Sequence, residues 1–160
     1  MLPLYHDELL KQATESADRH PACQADLRRA VSTAYYALFH LLISDTVANW
    51  SDAGSRAGLA RMFEHSTMKR ASKRISDAKT HPFAGEDLLV VKGLRDVAET
   101  FVELQDKRQI ADYDNATLWA QSQAISQVES AIDAFETWSR IRHETIAKDY
   151  LVSLLIKPRD

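Results

Sequence analysis

Apolar residues in the stretch 90–114 fall at Val90, Leu94, Val97, Phe101 and Leu104, alternating steps of four and three. That spacing predicts a long helix with a narrow apolar seam, of the kind that packs along a partner helix. One more step in the same register lands on Arg108, where an apolar residue is expected, and Gln109-Ile110-Ala111-Asp112-Tyr113-Asp114 follows at once. A cation continuing an apolar seam has two readings. Either the helix emerges into solvent and the arginine carries its charge outward on its aliphatic stem, or a polar site closes the end of a helix pair.

The rest of the chain reads as further helices. Leu4, Leu9, Leu10, Ala13 and Ala17 mark an amphipathic helix over 3–19, with Pro3 in its first turn and Pro21 stopping it. His6 and His20, near its ends, read as surface polar residues. A longer helix is expected over 23–50, with Leu27, Val31, Ala34, Leu38 and Leu41 on its core face. Beside that face lie one stripe of Arg29, Thr33, Tyr36 and His40 and another of Arg28, Ser32, Tyr35 and Phe39. Polar groups on a central helix need partners; the tyrosines suit core rings with hydroxyls at the rim, and His40 suits an interhelical hydrogen bond. Ser51-Asp52-Ala53-Gly54 breaks this helix. The segment 55–78 reads as two shorter pieces, the first with an apolar patch of Leu59, Met62 and Phe63, the second capped by Ser66. Residues 80–85 read as a loop, and Glu86-Asp87 open the long seam helix. After a turn at Asp114-Asn115, a last long helix starts near Thr117 with Leu118, Ile125, Val128, Ile132, Phe135 and Trp138 in register. It continues past Arg142 with a break near Ala147. The apolar run 150–156 is too even to orient by period; it suits a final helical turn or an exposed patch awaiting a partner.

With only four glycines and four prolines in 160 residues, composition supports a single all-α domain over 1–160, a compact helical bundle. One cysteine, Cys23, excludes an internal disulfide framework, and Arg28 and Arg29 are the only cations near enough to activate it, so it is not read as a catalytic thiol. The N-terminus lacks the basic and apolar segments of a signal peptide, and no apolar run approaches the ~20 residues that cross a bilayer. A cytoplasmic protein without a membrane segment is expected. No Gly-rich phosphate loop, HExxH, GxSxG or carboxylate cluster with metal-ligand spacing occurs, so neither a metal site nor a cofactor is expected. Charge adds one feature. Arg56, Arg61, Lys69, Arg70, Lys73, Arg74 and Lys79 face only Glu64 and Asp77, a segment of +5 that leaves −8 on the remainder of a chain of net −3. Lys69/Lys73 and Arg70/Arg74 stack as like charges four apart, which calls for an anion or an acidic neighbour, although such stretches are also common as solvated helix faces.

Two motifs go further. Arg28-Arg29-Ala30-Val31-Ser32-Thr33-Ala34-Tyr35-Tyr36-Ala37-Leu38-Phe39-His40 resembles the second-helix signature of the HEPN superfamily, small helical domains named for nucleotide binding in prokaryotes and higher eukaryotes. Arg108-Gln109-Ile110-Ala111-Asp112-Tyr113 resembles the Arg-x-x-Ala-Asp-Tyr ending that many of these proteins carry on their late helix. With helix order and length, the resemblance spans residues 5–145. It implies an antiparallel up-and-down bundle of four to five helices, usually a homodimer. Many such proteins are metal-independent endoribonucleases in toxin–antitoxin or phage-defence systems, so RNA or nucleotide and a nucleotidyltransferase-type antitoxin are the implied partners. In the family's active site an arginine stabilises phosphoryl oxygens, and a histidine shortly after it takes the 2′-hydroxyl proton.

This chain departs there. Tyr113 stands where that histidine is expected, and a tyrosine, with pKa about 10, is a poor general base near neutrality. His40 or His65 would have to substitute in space. Three functions remain open at this stage. The first is a weakly catalytic or non-catalytic module binding RNA or nucleotide. Its cleft is lined by Arg108, Asp112, Tyr113, Arg29, Ser32 and Tyr36, and Lys69, Arg70, Lys73 and Arg74 are its phosphate contacts. The second is an active ribonuclease using Arg108 with a displaced base, His40 among the candidates. The third is an interaction protein in which an Arg108–Asp112 pair merely fixes helix register. On the first reading, Arg108→Ala weakens RNA binding and leaves the melt nearly unchanged.

Overall fold

The computed structural model describes residues 3–77 and 83–157. Among the described residues there are seven α-helices and no strand, so the fold is all-α. The helices are α1 (Tyr5–Asp18), α2 (Gln24–Ala48), α3 (Arg56–Ala60), α4 (His65–Asp77), α5 (Leu88–Tyr113), α6 (Gln121–Ile141) and α7 (Thr145–Ser153), with a 3-10 turn at Ala53–Ser55 before α3. Two of them, α3 and α7, are short, which brings the number above the four or five expected.

Local chemistry accounts for the boundaries. Asp87 caps α5, its carboxylate accepting from the amides of Leu89 (2.8 Å) and Val90 (3.4 Å). Asp26 reaches back from the first turn of α2 to the amide of Cys23. At α6 the side chain of Gln123 does the same for the amide of Ala120, and the helix therefore opens at Gln121 rather than near Thr117. Leu118, expected in the core, is left 76 % exposed in the connecting loop. Ser66 does not cap α4, which already begins at His65, with the amide of Met68 bonded to the carbonyl of Glu64. The break after α6 falls at Arg142–Glu144, ahead of the expected Ala147, which is buried within α7. Of the expected loop, Thr80, His81 and Pro82 lie outside the described residues, as does Lys79; Gly85 takes φ +86° in the turn that follows, a value that favours glycine.

The chain divides into two compact units. One comprises the chain up to His40 with Glu103–Phe135, and the other Leu41–Val102 with the chain from Glu136 onward. The boundaries fall within α2, α5 and α6.

In the first unit the core is rich in small side chains: Ala13, Ala30, Ala34, Ala37, Ala124 and Ala131 are fully buried, beside Leu38 and Leu104. Backbone groups are closed by long polar side chains. Gln121 donates to the carbonyls of Ala17 and Arg19 past the end of α1, and Gln24 makes a two-way amide pair with the backbone of Trp119. His6, expected at the surface, is buried, its ring 5.9 Å from that of Phe135; His20 is exposed.

In the second unit Leu94, Val97 and Phe101 of the α5 seam are fully buried, as the spacing predicts. Helix α4 packs on α7, where the hydroxyls of Ser72 and Tyr150, both buried, are 2.5 Å apart; burial pushes the Tyr150 phenol well above its ordinary pKa. Asp45, 6 % exposed, accepts from the indole N–H of Trp138 at 2.6 Å and from Arg142 at 2.8 Å. Both of its oxygens are therefore used, which is the condition for keeping a carboxylate there. In the run 150–156, Tyr150, Leu151 and Leu154 are buried, while Val152 and Ile156 face solvent.

Asp45→Ala leaves the buried Trp138 N–H without an acceptor and is expected to cost about 1–3 kcal/mol. Asp45→Asn, which keeps an acceptor, is expected to cost less. Urea unfolding checks the order: both midpoints fall, the alanine variant's further, at unchanged slope.

Candidate functional site

Two groups of the residues named from sequence acquire a geometry, one in each unit. In the first unit Arg108 does continue the seam inward: it is 7 % exposed. Its guanidinium carbon lies 5.2 Å from the ring centroid of Tyr35 and 5.7 Å from that of Tyr36, and its Nη1 is 3.6 Å from Asp112. Two adjacent residues of α2 thus give their π-faces to one cation, an arrangement in which arginine is favoured over lysine. The Nε–H of Arg108 and the Oε1 of Gln105, one turn earlier, are buried without a hydrogen-bond partner among the described residues. Tyr35 is fully buried and Phe39 nearly so, whereas Tyr36, Ser32 and His40 are half-buried and Arg29 is exposed. The ring of His40 is edge-on to Tyr5 (4.8 Å) and Phe39 (5.1 Å). Tyr113 does not join the cluster side by side with Arg108 in burial; it is 76 % exposed.

Arg28 has a role that its spacing does not reveal. Its guanidinium donates to the carbonyls of Ala111, Asp114 and Thr117, closing the end of α5 and the turn beyond it. Asp114 completes that turn, accepting from the Ala116 amide and the Thr117 hydroxyl. Those bonds, the Thr117 hydroxyl first, with help from the Arg28 charge, hold its carboxyl below the ordinary 3.8.

In the second unit α4 has two faces. Thr67, Met68, Ala71 and Ser72 are buried; Arg70, Lys73 and Arg74 are exposed, and none of these three is paired with a carboxylate among the described residues. Lys69 is half-buried and engaged. No protein-family model, curated protein or solved structure matches the chain. Among the described residues no cluster of His, Cys, Asp or Glu is built to hold a metal ion, and no helix is long and apolar enough to cross a membrane. Cys23 is exposed, its thiol 3.2 Å from Asp26.

Arg28 and Gln24 are the functional supports that sequence reasoning passed over. Arg28 stood in a quoted motif, but which backbone carbonyls it would reach depends on a loop nearly ninety positions away. Gln105 and Trp119, each with a buried polar atom that has no partner among the described residues, stand out in no pattern of spacing.

Enclosure changes what Arg108→Ala should do. Removing a cation held by two rings and a carboxylate is expected to cost about 1–3 kcal/mol, while Tyr113→Ala is expected to stay within about 0.5 kcal/mol. Paired thermal melts decide it; equal and small losses would mean that the guanidinium is not held as described.

A pH dependence follows from Asp114, together with Asp26, depressed by the Cys23 amide and thiol, and Asp52, depressed by the Ser55 hydroxyl and the Gly54 amide. A carboxyl whose folded pKa lies below its unfolded value stabilises the fold above the unfolded pKa, and that contribution is lost as pH falls through the folded pKa. Melting temperature is expected to drop as pH is lowered below about 4, more shallowly for Asp114→Asn than for the natural chain.

Proposed function

We propose that this chain is a non-catalytic HEPN-like module that binds RNA by its phosphates. Arg70, Lys73 and Arg74 of α4 make the contacts, and Arg108 serves as an internal support rather than a catalyst. One observation carries the reading: three cations share the outer face of α4 and have no acidic partner among the described residues, while the opposite face is committed to packing. A helix face of that kind attracts a polyanion and releases its condensed counterions.

What argues against the nuclease is the state of Arg108. A guanidinium already engaged by Tyr35, Tyr36 and Asp112 would have to leave them to meet a phosphoryl group. The same contacts favour a second reading, in which the cluster only sets helix register and the chain is an interaction module. With the leading reading come the antiparallel up-and-down bundle, a symmetric homodimer, a place in a toxin–antitoxin or phage-defence system, a nucleotidyltransferase-type partner, and a cytoplasmic setting.

Sedimentation of the chain with single-stranded RNA at several salt concentrations tests both binding and assembly. Replacing Arg70, Lys73 and Arg74 together by alanine is expected to reduce affinity and to flatten its dependence on salt by about 0.7 per lost phosphate contact on a log–log plot. An unaltered slope in the triple variant would assign the basic face to solvent and leave the interaction module as the better account; a free chain that sediments as a monomer at micromolar concentration would remove the dimer.

A further inference from the structure

Beyond RNA binding, we propose that the second unit holds a site for a single-chain aliphatic carboxylate, in the trough between the end of α2 and α7. Its volume is about 450 Å³, and its walls carry Trp50, Leu59, Leu151, Val152, Leu155 and Ile156. Trp50, Val152 and Ile156 are 49, 58 and 55 % exposed, a concentration of large apolar groups that the fold itself does not cover. Pockets of about 300–1,000 Å³ with apolar walls and few polar groups are the usual form of small-ligand sites.

The polar groups of the trough say which end of such a ligand belongs where. Thr46 donates its hydroxyl to the carbonyl of Leu42, and Asn49 donates one amide N–H to that of Asp45, so their own helix takes the Thr46 donor and one of the two on Asn49. Among the described residues Lys148 is the only charged group in the lining and no carboxylate pairs with it; it is exposed. An unspent ammonium beside an apolar trough is complementary to an anionic head on a hydrocarbon body. The walls are mostly branched aliphatic side chains, which suit an alkyl chain. A second copy of the protein fits less well: nine of the described residues line the trough, against roughly 20–30 a side in a stable protein interface.

Trp50 is the one tryptophan that is substantially exposed, Trp119 and Trp138 being 7 % and 1 % accessible, so emission reports on the trough. The full chain is titrated with dodecanoate below its micellar concentration, with dodecanol as the neutral counterpart. Saturable one-to-one binding with a blue shift is expected, absent in Val152→Glu, whose surface position leaves the melt unchanged. Lys148→Met is expected to weaken dodecanoate about tenfold and to leave dodecanol alone. No saturable shift in the natural chain, or equal losses for acid and alcohol in Lys148→Met, overturns the proposal. So does a dimer in the absence of dodecanoate that Val152→Glu dissociates, because the trough would then belong to a second copy.

Discussion

A guanidinium withdrawn from water must be given something in return, and much of the first unit's arrangement follows from how Arg108 is accommodated. Tyr35 and Tyr36 are adjacent on α2, so their side chains leave the helix about 100° apart. Both nevertheless lie against the same cation. Only one axial placement of that part of α2 against the end of α5 satisfies both rings at once; a slip of one turn separates them from the charge. Arg28 adds a second pin, gripping three carbonyls at and beyond the end of α5. Leucines and alanines would pack comparably in several registers. The two arginines favour one, Arg108 from a buried position and Arg28 from a half-buried one.

The second unit solves the same problem with the signs reversed. Asp45 is the buried charge, and an indole and an arginine from one turn of α6 and its end receive it. Gly93 allows the close approach nearby: a Cβ there would sit 3.2 Å from Thr137 and 3.3 Å from Ile141. Both units thus combine a tightly packed apolar interior with a very small number of polar contacts whose geometry admits little variation.

Periodicity revealed the longer helices because each carries an apolar stripe, and the α5 seam was readable from Leu94 to Leu104, while at its start Val91 rather than Val90 is buried. The side of the helix on which Arg108 would end was not, because snorkelling and stacking leave the same trace in sequence; only the two rings across from it decide. Helix starts were misjudged where a cap was supplied from inside the helix, as by Gln123 for Ala120, rather than by a preceding serine or threonine. His6 was misplaced for a related reason: one polar residue near a helix end carries no indication of the Phe135 ring it will meet. The basic character of α4 was plain from composition, whereas the division of its residues into an engaged Lys69 and three unpaired cations required the fold.

Helix α4 has a further consequence. Its inner contacts, with the Ser72–Tyr150 hydroxyl pair among them, involve none of the cations on its outer side. Substitutions on the two sides share no partner, so their effects on stability should nearly add. The outer side can therefore drift, gain or lose charge, or change its preferred ligand without eroding the scaffold beneath it. Thirteen residues hold two independent records, one constrained by folding and the other open to selection.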